Sequence, residues 1–419
     1  MLKTFNFEKL PIVEIVNEII IDATKNRASD IHIDPFNDVL KIRIRIDGTL
    51  IDYATVPNDY KKNLVTRIKI IAGMNITENR LPQDGAIKTS LNGIPLDMRV
   101  SSLPTNNGEK IVIRILDYSM SIQGLEQLGF TKDNFEKIMK MINLPNGIIL
   151  VTGATGTGKS TTVYSILQRL NREEANVITV EDPVEMDIPG VNQVQVNSEI
   201  GLTFANVLRS ILRQDPDIIM IGEIRDDETA TIAVRASVTG HLVLSTIHTN
   251  NSLNTIERLL DMEVERYLLA ASLSGIISQK LARKLCPHCR KKITPTPSEK
   301  YLFKKNLGID LNEIYVAGDG CDNCMNGYRG RIAIHEVLLI DEDIRDAISN
   351  NVRKEDLRKL VYSENVHTLL QDGLIKVAQG LTSFEEIIKL IELDVEDIVI
   401  PKGENAENNN VQDSNVEQK

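Results

Sequence analysis

Residues 147–162 read GIILVTGATGTGKSTT. An apolar run enters a glycine-rich loop, and Lys159-Ser160 then opens a helix-compatible stretch, TTVYSILQRL. Gly153, four residues, then Gly158-Lys159-Ser160 is the spacing of a phosphate-binding loop. Such a loop needs a strand that stops, a turn tight enough to aim backbone N–H groups inward, and a helix whose amino terminus favours an anion. The cradle would comprise Gly153, Ala154, Thr155, Gly156, Thr157, Gly158, Lys159, Ser160 and Thr161. Lys159 would reach the β and γ phosphates, and Ser160 would hold magnesium. A glycine turn without a ligand is the bland alternative. It gives no reason for strand, loop, Lys-Ser and helix to fall in register.

The flanking sequence extends this α/β pattern. Apolar runs recur at "NVITVED", "DIIMIGE" and "LVLSTIH", each followed by helix-compatible sequence. Continuous aliphatic strands alternating with helices imply a parallel sheet covered on both faces. Upstream, to about residue 118, the style differs. Ile12, Ile15, Val16 and Ile19 have helical spacing, while "DIHID" and "KIRIRID" alternate. Asp47-Gly48 and Asn92-Gly93 are hairpin signals. The helix "NLVTRIKIIAGM" puts Leu64, Ile68 and Ile71 on one face; Lys61, Lys62, Arg67 and Lys69 read as a solvated one. The expected division is 1–118, a connector at 119–130, and a second domain over 131–400. That domain holds a cysteine insert at 283–330 and a helical part at 336–400, with a disordered, apolar-poor tail at 401–419. In the helical part, "SFEE" predicts a capping box with Ser383 as N-cap and Glu386 reaching back.

Hydrolysis needs carboxylates near the cradle. Glu223 directly ends the strand "DIIMIGE" and would face the metal or the attacking water. Glu181, Asp182 and Glu185 follow another strand, where an open α/β sheet binds ligands. His248 ends a third strand; contact with the γ phosphate and a structural role stand level. His241 precedes its strand and reads as structural. Arg209 and Arg213, four apart on one helix face, would clamp phosphate oxygens or form an ordinary surface pair.

The 419 residues contain four cysteines, as Cys286-x-x-Cys289 and Cys321-x-x-Cys324. Two thiolates from each pair make a closed tetrahedral set, the structural zinc pattern. His288 reads as a spacer. No apolar run approaches a membrane span, and Glu8, Lys9 and Glu14 break any signal-peptide core. The expectation is a cytoplasmic chain with reduced thiols. A net charge of −11, no Trp and 4% aromatics argue against stable nucleic-acid binding.

In order, the phosphate loop, "TVEDPVE", "LRQDPDIIMIGEIRDDETA" and "TGHLVLSTIHTN" resemble the Walker A, aspartate-box, Walker B and histidine-box blocks of one family. That family is the ATPases of type II secretion and type IV pilus assembly, including competence pilus motors. "ASDIHIDP", "RIDG", "LPQDG" and "DMRVSSLPTNNGEKIVIRIL" resemble its amino-terminal blocks, and the likeness covers about 10–395. It implies an α/β chain: a small PAS-like α/β domain, then a RecA-like P-loop NTPase domain with a zinc-binding insert and a helical carboxyl-terminal part. It implies ring hexamers with ATP between the domains. Arg99 and Arg114 would contact phosphates from the amino-terminal side, and Arg209 and Arg213 from the other domain. Glu223 becomes the Walker B glutamate, Glu185 the candidate for activating water, and His248 the histidine-box residue. The implied partners are other copies of the chain and an inner-membrane platform protein, which would hold the motor on the cytoplasmic face. The cysteine insert is shared with assembly-type motors and absent from retraction-type relatives. Ala86 departs from the family's Q-D-G-R pattern. The chain also starts near the PAS-like domain, so recruitment is expected through the platform alone. A retraction motor and a nucleic-acid-dependent P-loop motor are the alternatives.

Overall fold

In the computed structural model, the described residues are 3–91, 94–116, 124–363 and 366–391. The Asn92-Gly93 turn, the tail at 401–419 and the first part of the 119–130 connector lie outside them. Two large sheets organise the rest.

The first has six antiparallel strands in the order β3-β2-β1-β6-β5-β4. These are β1 (Ala28–Pro35), β2 (Val39–Ile46), β3 (Thr49–Pro57), β4 (Gln83–Leu91), β5 (Ile94–Thr105) and β6 (Gly108–Leu116). Asp47 (φ 48°) and Gly48 (φ 86°) close the β2–β3 hairpin, as expected of a turn needing two left-handed residues. Ile31, Ile33, Ile42, Ile44, Met98, Ile111 and Ile113 face the helices Ile12–Lys25 and Lys61–Ile71 in one core. The opposite face is charged. Asp34 takes Arg43 (Nε 2.8 Å) and Lys110, and Asp30 takes Arg114 (Nε 3.1 Å).

One reading of this region fails. Lys69 is not on a solvated face but 1% exposed. Its ammonium donates at 2.7 Å to both the Glu109 carboxylate and the Glu78 carbonyl. A buried charge persists only where it is paired and hydrogen-bonded, as this one is.

The second sheet has seven strands in the order β15-β12-β7-β11-β10-β8-β9. These are β7 (Gly147–Thr152), β8 (Val177–Glu181), β9 (Asn192–Gln195), β10 (Ile218–Ile221), β11 (Leu242–Ile247), β12 (Leu273–Leu285) and β15 (Tyr328–Leu339). All pair in parallel except β15, which runs antiparallel to β12. Apolar clusters fill both faces: Ile148 and Leu150 point into one, Ile149 and Val151 into the other. The cysteine segment leaves from the end of β12 and returns at β15. It carries the small ladder β13 (Lys291–Ile293) and β14 (Ile314–Val316) and the helix Pro297–Leu307. Residues 336–339 belong to β15, so the helical part starts later than expected, at Glu342.

The box at Ser383 is half formed. Ser383 accepts the Glu386 N–H at 3.3 Å, but the Glu386 carboxylate is taken by the Arg283 guanidinium, with Nη2 at 2.8 Å. A charge-assisted fork outcompetes a single bond back to a neutral N–H.

Candidate nucleotide site

Three adjacent strands, β7, β11 and β10, end at one edge and deliver the phosphate loop, His248 and Glu223 there. The loop is shaped from beneath by Gln279 of β12, which is 1% exposed. Its Oε1 accepts from Thr162 Oγ1 at 2.7 Å, and its Nε2 donates to the Thr157 carbonyl at 2.8 Å. A Cβ on Gly153 (φ 151°) would meet the Gln279 carbonyl at 2.5 Å; one on Gly158 (φ 89°) would meet Gln279 Nε2 at 3.1 Å. Two glycines of the motif are thus demanded by the packing under the loop as well as by close approach of an anion. The helix Lys159–Leu170 begins at the loop's end and aims its free N–H groups outward.

Lys159 is 8% exposed, and its Nζ donates to the carbonyls of Gly153 (2.8 Å) and Ala154 (3.2 Å). Burial lowers its pKa, opposed by the negative charge of Glu223. Glu223 is 14% exposed in its side chain; its Oε2 lies 3.3 Å from His248 Nε2 and its Oε1 2.5 Å from an Arg225 nitrogen. Thr152 Oγ1 donates to the Thr249 carbonyl at 2.7 Å, fixing the strand end beside His248. Lys159, Glu223 and His248 therefore share one charged neighbourhood. A basic donor, a carboxylate and a hydroxyl at Ser160, beside a glycine loop at a helix amino terminus, suit a nucleotide and magnesium.

Structure separates the three acids that follow β8, among which only the resemblance singled out Glu185. Glu181 is 3% exposed, and its carboxylate accepts from Tyr164, Thr179 (2.6 Å) and Gln193 (3.0 Å). It is saturated and structural. Asp182 is exposed. Glu185 borders a cleft of about 1200 Å³ and meets Arg99 of β5 at 3.6 Å across it. Arg99 also donates to the Val184 carbonyl at 3.3 Å. Arg99, Arg114, Lys88 and Ala86 line the facing sheet.

Arg209 and Arg213 are not gathered in. Arg209 pairs with Glu228, and Arg213 sits past the end of the helix Phe204–Ile211, donating to the Arg209 carbonyl at 2.7 Å. Gln279 and Arg225 were missed by sequence reasoning. Arg225 stands two residues after Glu223 and could have been found; nothing local to Gln279 marks it.

The four cysteine sulfurs lie within 4.8 Å of one another, with Sγ–Sγ separations of 3.8 Å (Cys286–Cys321) and 3.6 Å (Cys289–Cys324). A tetrahedron with metal–sulfur bonds near 2.3 Å has edges of about 3.8 Å, so the set fits zinc. Burial pushes the Cys289 thiol up to about 12. Burial also raises Cys324, but the Cys321 N–H, the thiols of Cys289 and Cys321 and the Gly327 N–H outweigh it and bring that thiol down to about 7. Gly318 lets the two loops close, since a Cβ there would meet the Cys289 carbonyl at 1.9 Å.

The chain is similar to known proteins over most of its length. The chain is 44% identical over 381 residues to the type II secretion system ATPase E of Vibrio cholerae, covering 91% of this chain and 75% of that one. It is 45% identical over 380 residues to the type IV pilus assembly ATPase PilB of Thermus thermophilus, 90% of this chain but 42% of that relative. The crystal structure of the pilus retraction motor PilT with bound ADP superposes with a TM-score of 0.61 at 27% identity, over 91% and 98% of the two chains. The fold is therefore the α/β, RecA-like ATPase architecture expected from the motif order. Among the described residues, no helix is long and apolar enough to cross a membrane. The profile of the family described as "Type II/IV secretion system protein" matches residues 6–389, and with these relatives it establishes that the chain belongs to that family of ATPases.

Proposed function

We propose that the chain is the ATP-driven motor for assembly of a type IV pilus or a type II secretion pseudopilus. It works as a homohexamer on the cytoplasmic face of the inner membrane, against a membrane platform protein. What carries the reading is the meeting of Lys159, Glu223 and His248 at neighbouring strand ends, joined by a cleft in which the loop carrying Glu185 faces a separate sheet that offers Arg99 and Arg114. Two sheets facing across a cleft suit a cycle in which ATP draws them together and hydrolysis releases them.

Residue roles follow from placement. Backbone N–H groups of 153–161 hold the β and γ phosphates, and Lys159 exchanges its loop carbonyls for phosphate oxygens. Ser160 holds magnesium, which when bound neutralises charge on those oxygens. Glu223 orients that region, and His248 keeps its carboxylate turned toward the loop. Glu185 takes the proton of the attacking water, and Arg99 swings from Glu185 to phosphate as the cleft closes. Arg114 supports it. Arg209 and Arg213, engaged elsewhere in this chain, act across a subunit boundary. Cys286, Cys289, Cys321 and Cys324 hold a structural zinc. The cysteine set favours the assembly branch over the retraction one.

The deciding experiment is phosphate release by wild type, Glu223→Gln and Glu185→Gln, with and without DNA. Slow turnover in both variants and indifference to DNA are expected. Strong DNA stimulation would point to a nucleic-acid motor instead. Elemental analysis of protein with reduced thiols should return one zinc per chain, and its absence removes the four-thiolate assignment.

A further inference from the structure

Glu185 lies on the loop between β8 and β9, outside both strand ladders. Something else must hold its backbone. The phenol of Tyr164, on the helix that begins at Lys159, is 3% exposed and donates its one proton to Glu181 Oε2. Its oxygen is then free to accept, and it takes the Glu185 N–H at 3.2 Å. Glu181 cannot turn away, because Thr179 (2.6 Å) and Gln193 (3.0 Å) hold its other oxygen. Gln193 in turn grips the same loop further on, donating to the Met186 carbonyl at 2.9 Å and accepting the Ile188 N–H at 2.7 Å. Burial and the neighbouring carboxylate raise the phenol's pKa, so it stays a neutral hydroxyl throughout the physiological range.

We propose that Tyr164 is a positioning residue for hydrolysis: its hydroxyl ties the backbone of Glu185 to the helix that carries Lys159, holding carboxylate and phosphate loop in one register. The inference rests on the reading of Glu185 as the water-activating group. It assigns the buried triad Tyr164–Glu181–Gln193 to the geometry of the reaction rather than to the core alone. A carboxylate displaced by a fraction of an ångström still allows ATP to bind but loses rate.

The test is a double-mutant cycle on the full chain, read by steady-state ATP turnover. Tyr164→Phe should lower kcat about tenfold, with KM for ATP within about twofold of wild type and a melting temperature only a few degrees lower, the cost of leaving Glu181 Oε2 without its donor. Combined with Glu185→Gln it should cost nothing further. If Glu185→Gln alone turns over at the wild-type rate, the Glu185 reading falls and this inference with it. If Glu185→Gln is slow while Tyr164→Phe is unimpaired, or while its deficit adds in full, the positioning role alone is overturned. Should Tyr164→Phe melt earlier than that, the same cycle with Gln193→Ala reads the loop without touching the helix, and full additivity there overturns the role equally.

Discussion

In the seven-stranded sheet, β7, β8, β10 and β11 are buried at every position. In the six-stranded sheet, β2 and β6 alternate buried residues with more open ones. The seven-stranded sheet therefore delivers the phosphate loop on strand ends bolted from below, Gln279 under the loop and Thr152 against Thr249. The six-stranded sheet lines the cleft with side chains standing on an open face. Arg99 is 34% exposed and holds Glu185 at 3.6 Å, the length of a loose ion pair. One sheet is a rigid wall, pinned from below; the other is an open wall, held by a loose pair.

Four measurements can break that contrast, from the largest expected effect to the smallest. Lys159→Ala should lower ATP turnover by at least about a hundredfold, since it removes the one cation fixed inside the loop. A loss below tenfold would mean that the loop is not the rigid wall. Gln279→Ala should weaken ATP binding about tenfold in a calorimetric titration, because the loop loses both side-chain bonds beneath it.

The third probes the rigid sheet by pH. His335 of β15 is fully buried, stacked on Phe130 at 3.9 Å, and neither ring nitrogen has a hydrogen-bond partner. Burial holds its pKa well below the usual 6.5. The folded state then stays neutral where the unfolded chain gains a proton. Stability is lost as pH falls below about 6.5, by up to about 1.4 kcal/mol per pH unit. Denaturant melts between pH 5 and 7 should show this slope, and His335→Gln should flatten it. The smallest effect belongs to the open wall. Arg99→Ala should lower kcat/KM about threefold to tenfold and leave the melting temperature within a degree or two, as half-exposed ion pairs contribute about 0–1 kcal/mol.

Much of the rigid wall was legible in sequence because it is built locally. The phosphate loop, Glu223 and His248 each follow their own apolar run, and period and spacing suffice. What escaped was set by distant partners. Gln279 acts on a loop 122 residues away, and β12, with Gln279, Lys280 and Arg283, lacks the aliphatic run that marked its neighbours. Lys69 was assigned to solvent because a helical wheel has no view of Glu109, 40 residues on. Glu386 satisfied a local capping pattern until Arg283, 103 residues earlier, offered a charged fork. Sequence placed Arg99 and Arg114 only through resemblance, and the cleft they line depends on how two separate sheets face each other.

The register of β5 and β6 sets Arg99 directly opposite Arg114. Two like charges in such a position repel, and each leans on a single acid, Glu185 or Asp30. An arriving polyanion would cancel that internal repulsion. Part of its binding free energy would then reappear as cohesion of the six-stranded sheet itself. Occupancy of the cleft should thus be readable as slower hydrogen exchange along β5 and β6, on the sheet that does not carry the phosphate-loop motif.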